Sequence, residues 1–414
     1  VTPERLAVGA EVGDDVGSAG AASSTQVGDA SDLAGTGPAR SRPAQPDKAE
    51  ARPENGVATR KFEAPHRLEK ETFLTHVAGV TLLSFWRTSS WIMGHLPAGP
   101  TYRVGGWLAM IGYAASPLRR RWLRANFGHV LGVSPKDKAA GRLARAAYRN
   151  YARYVMELMR LPWLKPDKVD QLLEVRSLDK FLEIYRASKG VVLVAAHLGN
   201  NEAAAAGFAK HGLEINVVGD DSSYRELYEL FERQRESWGV KMISWRNLRG
   251  VYGALRRHEG LVLLVDWGYR EDGIPVKMFG AWTTLPAGPA ILAAKHGSTI
   301  VPFSINRLPD GTFRAAADDP IHVASSSPAD LARATQEIAT ALEGHIAPAP
   351  EQWYIFKPIW PETAPEAAAL EARHAAAMAT EAAGAATAAG AGGSAGAADS
   401  PEGGADNARR RKGR

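Results

Sequence analysis

The stretch VVLVAAHLGNNEAAAAG, Val191–Gly207, decides how the chain is read. An apolar, β-branched run climbs to a single histidine, His197. A turn-like LGNN follows, and then an alanine-rich segment that favours helix. That layout is a strand end feeding a helix. His197 and Glu202 lie five residues apart, a spacing that does not place two side chains on one helix face, where neighbours are three or four apart. It works when the histidine stands at the strand end and the glutamate in the first helical turn. Asn200 or Asn201 then serves as N-cap, and the helix dipole favours the carboxylate. In that arrangement Glu202 accepts from one imidazole nitrogen, and the other nitrogen takes a proton from a hydroxyl. This is the base and the orienting acid of a triad, with no protein nucleophile. The competing reading is a histidine satisfied by backbone and a glutamate that only caps a helix. The spacing leaves both open.

Working outward, the same alternation repeats. Strands are predicted at 190–197, 214–218, 240–244, 261–266 and 299–306, and helices at 202–211, 223–238, 248–258 and 285–296. Buried β-branched runs alternating with helices of this length predict an α/β fold, a central, mostly parallel or mixed sheet flanked by helices. Ligands of such sheets bind at the carboxyl ends of the strands. His197 and Asp266 both fall at such ends.

Upstream, residues 70–112 are apolar and aromatic, Arg119–Arg124 (RRRWLR) is a basic cluster around Trp122, and Ala139–Leu161 reads as one amphipathic helix. Residues 1–64 lack apolar periodicity and read as a disordered tail. The globular domain is placed at 65–360, and 361–414 as an Ala/Gly-rich basic tail with a helix over 366–381. The longest apolar run, Phe73–Trp86, is shorter than the ~20 residues a spanning helix needs. No signal-peptide layout opens the chain.

The chain has 414 residues, no cysteine and a net charge of +5. Absence of cysteine excludes disulfides, cysteine zinc sites and a thiol nucleophile. The mild basic excess favours anionic partners without choosing among them. There is no HExxH, no P-loop and no GxGxxG after a strand. A GxSxG string at Gly392–Gly396 lacks a preceding strand and is a chance match. Nucleic acid is not an expected partner, because the globular part holds no such motif.

The HLGNNE block resembles the HxGNxE form of the H-x4-D/E motif of glycerolipid and glycolipid acyltransferases. Further blocks resemble the same source in order. They are RANFGHVLG (Arg124–Gly132), Tyr151-Ala152-Arg153-Tyr154 with Glu157 and Arg160-Leu161-Pro162, and Asp266 with Gly273-Ile274-Pro275-Val276, Phe279-Gly280 and Leu285–Ala290. The closing pair is Gln352-Trp353-Tyr354 and Pro358-Ile359-Trp360. Together they span about 70–360 and are similar to the bacterial lipid A (late) acyltransferase family of the lysophospholipid acyltransferase superfamily, its phosphatidylinositol mannoside branch above all.

The resemblance implies a membrane-associated O-acyltransferase with a glycerolipid-acyltransferase-like fold and N-terminal membrane-associating helices. An acyl chain would pass from acyl-CoA or acyl carrier protein, as co-substrate and with no further cofactor or metal, to a hydroxyl of a phosphatidylinositol mannoside-type or related glycolipid. The alternatives are a lipid A or Kdo-type acyltransferase and a non-catalytic lipid- or acyl-carrier-binding protein. In the transfer His197 is the general base, paired with Glu202 or Asp266. Expected substrate contacts are Asn200, Arg270, Arg153, Glu157 and Gly288. The expected place is the cytoplasmic face of the plasma (inner) membrane, on anionic phospholipid, with Trp86, Trp91 and Trp107 as anchors and Arg119–Arg124 attracting lipid headgroups.

Overall fold

The computed structural model describes residues 73–164, 171–176, 178–219 and 225–392. The expectations for residues 1–64 and for the end of the tail from 393 lie outside them.

Four helices come first: α1 (Phe73–His95), α2 (Ala98–Ala115), α3 (Pro117–Leu131) and α4 (Lys138–Arg160). Asp137 caps α4 by accepting from the Ala139 N–H at 2.6 Å. α4 is the hub of this layer and packs against the other three helices. Then follow β1 (Leu173–Arg176), α5 (Leu178–Ala187), β2 (Val191–Ala195), α6 (Asn201–Lys210), β3 (Ile215–Gly219), α7 (Arg225–Glu236), β4 (Val240–Ser244), α8 (Leu248–Arg256) and β5 (Gly260–Leu264). The last third holds a hairpin of β6 (Ile274–Met278) and β7 (Ala281–Leu285), then α9 (Gly288–His296), β8 (Thr299–Arg307), β9 (Phe313–Ala317), α10 (Pro328–Ile346) and α11 (Ala364–Gly392).

Seven strands form one sheet in the order β1-β9-β8-β2-β5-β3-β4. The pairs joining β8, β2, β5, β3 and β4 are parallel, while β8 and β9 pair antiparallel. The sheet is therefore mostly parallel with a reversed edge, as the alternation predicts. Side chains alternate across a strand, and β2 sorts itself accordingly. Val192 and Val194 join a core with α4, α10 and the Trp353–Trp360 segment. Val191, Leu193 and Ala195 join the opposite core with α5 and α6.

Several elements differ from the sequence reading. The segment before α9 is not helical, because β7 occupies Ala281–Leu285 and the helix opens only at Gly288. The β6–β7 turn is Phe279-Gly280, with φ of 47° and 74°. Two positive φ values fit a primed hairpin turn, but a phenylalanine there gives no turn signal. α11 runs past Glu381 to Gly392 and is packed at its start: Leu370 is buried, and Arg373 donates to the backbone oxygens of Glu271 (2.7 Å) and Gly273 (2.8 Å). A boundary at Trp360 therefore cuts off a packed helix. Trp86 is not an anchor. It is buried against Phe231, Leu158, Met159 and Leu227, whereas Trp91 and Trp107 are exposed.

Candidate active site

The sheet register builds the site. Ala195 on β2 stands beside Leu264 on β5. Two residues beyond each lie His197 and Asp266, side by side where both strands have just ended. His197 Nδ1 is 2.7 Å from Asp266 Oδ1, and the His197 backbone N–H donates to Oδ2 at 2.9 Å. Trp353 Nε1 donates to the same Oδ2 at 2.8 Å. The imidazole partner is thus Asp266, and the aspartate reaches it because the strand ends are adjacent.

Burial works to raise the Asp266 pKa, since the carboxylate is almost fully enclosed. The imidazole and the donors around it outweigh burial and hold the group below the ordinary carboxylate range. An ionised Asp266 keeps the proton on Nδ1 and leaves Nε2 as the basic nitrogen.

The loop after His197 is held on both sides. Tyr354 N–H donates to His197 O at 2.8 Å, and Gly199 N–H to Gln352 O at 3.0 Å. Gly199 has φ +63°, and a Cβ there would lie 2.0 Å from the Ile305 carbonyl oxygen. Only glycine fits between this loop and β8. Asn200 caps α6, its Oδ1 accepting from Ala203 N–H at 3.2 Å.

Glu202 sits in the first turn of α6, as expected, but its carboxylate pairs with Arg235 of α7 and not with His197. Its distance from the imidazole follows from the turn: the helix carries Glu202 toward α7 while β5 delivers Asp266. Of the expected substrate contacts, Asn200 is fully buried and spent on the cap and on Glu157 Oε2 at 3.4 Å. Glu157 is buried and forms a fork with Arg307, both bonds 2.7 Å, and it accepts from Arg153 at 2.9 Å. Arg270 is exposed and pairs with Asp272 at 2.8 Å. Gly288 is the first residue of α9. Arg270 and Gly288 are not brought to His197, and Arg153 opens on a different surface.

A cavity of about 70 Å³ lies against the histidine. His197, Gly199, Asn201, Glu202, Leu264 and Trp267 form one side, and Tyr151, Tyr154, Tyr354, Ile355, Phe356 and Lys357 the other. Trp267 meets the imidazole edge to face with ring centres 5.5 Å apart. Tyr154 and Tyr354 stack at 5.5 Å. Burial pushes the Tyr354 phenol up to about 12, and Tyr154 is raised by burial as well. Both remain protonated at neutral pH. Apart from Tyr151, Tyr154 and Tyr354, quoted only as motif letters, this wall was not legible as a site. Arg307 and Lys357 carry no spacing signal, because they arrive from β8 and from the segment after α10.

An imidazole fixed by a buried carboxylate, beside a largely apolar cavity with aromatic walls, can take a proton from a hydroxyl brought against it. Residues 71–362 match the family model described as bacterial lipid A biosynthesis acyltransferase. Over 253 residues the chain is 27% identical to the phosphatidylinositol mannoside acyltransferase of Mycolicibacterium smegmatis, covering 60% of this chain and 82% of that one. It is 27% identical over 245 residues to the protein of the same name from Mycobacterium tuberculosis, covering 58% and 76%. It is 24% identical over 229 residues to the lipid A biosynthesis lauroyltransferase of Escherichia coli, covering 53% and 72%.

Proposed function

The chain belongs to the bacterial lipid A biosynthesis acyltransferase family and is an acyltransferase, and from that premise we propose that it transfers a fatty acyl chain from an acyl thioester to a hydroxyl of a phosphatidylinositol mannoside-type glycolipid. The relatives with that name cover more of this chain than the lauroyltransferase does, which favours a mannoside over lipid A. The observation that carries the mechanism is the His197–Asp266 pair at the cavity.

In this mechanism His197 Nε2 takes the proton of the acceptor hydroxyl. The oxygen attacks the thioester carbonyl carbon, a C–O bond forms, and the carbonyl oxygen becomes an oxyanion. Lys357 is the cation at the cavity wall and the group proposed to meet that charge. The C–S bond then breaks, and the sulfur leaves with the proton from the imidazolium. Asp266 touches no substrate. It holds the tautomer and stabilises the imidazolium while it exists. Glu202 is a positioning residue, fastening α6 to α7 through Arg235.

Acceptor and product are lipids, so the cavity must open toward a bilayer. No helix among the described residues is long and apolar enough to cross a membrane. α1 and α2 instead present an exposed apolar surface that includes Phe85, Trp91, Ile92, Trp107 and Leu108. Peripheral binding to anionic lipid at the cytoplasmic face of the plasma membrane is proposed on that surface and on the basic cluster at the start of α3.

The test is release of free CoA from palmitoyl-CoA by the purified chain with a panel of glycolipid acceptors, beside His197→Ala. Release that needs an acceptor and disappears in the variant, with unchanged circular dichroism, is the expected result. Release unchanged in the variant overturns the role of His197. If no acceptor gives release, and acyl carrier protein as donor fails too, the transfer reaction itself is overturned.

A further inference from the structure

Between α2 and α4 lies a second opening, an exposed groove of about 740 Å³. Part of its lining is small: Ala98, Gly99 and Gly106 on α2. A methyl group added at Gly99 or Gly106 would meet no atom within 4 Å, so space stands over both. The polar lining is cationic, with Arg103 from α2 and Arg149 and Arg153 from α4.

The groove lining holds one carboxylate, Asp310 of the β8–β9 turn. It is already engaged, accepting the Thr312 N–H at 2.9 Å and the Thr312 hydroxyl at 2.7 Å. Arg153 is held in place by Glu157 and lies 5.0 Å from the centre of the Tyr102 ring. Arg103 and Arg149 are exposed and pair with none of the described residues.

Two features say what would fill this space. First, a guanidinium fork matches the oxygens of a phosphate better than any other common anion except a carboxylate. Second, the groove continues into an apolar stripe. Val104, Trp107, Leu108 and Ile111 recur at i, i+3, i+4 and i+7 on α2 and point outward, each more than half exposed. Trp107 belongs to both stripe and groove. A ligand with an apolar end on the stripe and an anionic group among the arginines is a phospholipid. The same helix serves both openings, since α4 gives Arg149 and Arg153 to the groove and Tyr151 and Tyr154 to the cavity beside His197.

We propose that this groove binds the phosphodiester of the lipid acceptor, an inference that rests on the acyl transfer proposed above and assigns it a seat for the acceptor's phosphate. The phosphates of a CoA donor are the other source of the same chemistry, and the experiment separates them.

The measurement is binding, so it does not depend on turnover. The purified full chain is titrated by calorimetry with a deacylated, water-soluble phosphatidylinositol mannoside and with the same mannoside lacking phosphate. The variants are Arg103→Ala/Arg149→Ala, which removes exposed charges, and Gly106→Leu, which fills the space and keeps them. Both should retain the circular dichroism of the parent. The expected result is an affinity for the phosphorylated headgroup at least tenfold weaker in each variant, with the phosphate-free mannoside unaffected. Equal affinity in parent and variants overturns the proposal, as does a parent that does not bind. Displacement of the headgroup by CoA assigns the groove to the donor and overturns it too. A chain that binds the headgroup through these residues but transfers nothing upholds the groove and overturns the reaction. A chain that transfers acyl groups while its headgroup affinity ignores both variants does the reverse.

Discussion

Asp266 receives the His197 backbone N–H, the imidazole and the Trp353 indole at once, so its replacement tests the site atom by atom. Asp266→Asn keeps the shape but offers only one acceptor oxygen. It should lower kcat by between about a hundredfold and ten-thousandfold, the usual range for a misdirected general base, with KM values little changed. The pH dependence of folding has a definite sign. The folded-state pKa of Asp266 is depressed, so its contribution to stability is present above the ordinary aspartate value and is lost as pH falls through the lower folded value. The Asp266 contribution to the stability gap between parent and Asp266→Asn, read from urea midpoints, should shrink as pH falls below about 4. His197 was legible in the sequence because it ends a buried run. The choice between Glu202 and Asp266 was not, because it depends on the pairing of β2 with β5, and register is a non-local property that no spacing of five can express.

At the level of elements, the parallel strands β2 to β5 were legible, since each is a short β-branched run between helices. Those that were missed lack that signature. β9 is FRAAA, with little β-propensity of its own, and is a strand because β8 and β1 hold it. β6 and β7 are joined by Phe279-Gly280, where an Asn-Gly would have announced the hairpin. α11 was read as part of a tail because alanine and glycine dominate it, yet Leu370 is buried and Arg373 clamps the loop before β6. Leu370→Ala should therefore destabilise the whole chain by about 2–5 kcal/mol, as for a core leucine. Thermal denaturation checks this; a change within experimental error would show that α11 is dispensable.

For the whole molecule, the distribution of apolar surface matters more than its amount. The exposed stripe of α2 lies beside arginines, an arrangement suited to an anionic bilayer. Trp107→Ser/Leu108→Ser should reduce co-sedimentation with anionic vesicles at least tenfold, given about 1.5–3 kcal/mol for each large apolar side chain buried, while leaving the fold intact. The parent's binding should weaken with added salt, because surface charges are screened within about 8 Å at physiological ionic strength. The bonding of His197 to Asp266, and of Asp266 to Trp353, has one more consequence, which concerns time. Asp266 trails His197 by 69 residues, and Trp353 trails Asp266 by 87. A ribosome adding about 5–20 residues per second therefore delivers the histidine first, its carboxylate seconds later and the indole that seats that carboxylate later still. A nascent or truncated chain carries the histidine without its orienting partners, so the site is assembled only when the segment that carries Trp353 closes over the loop.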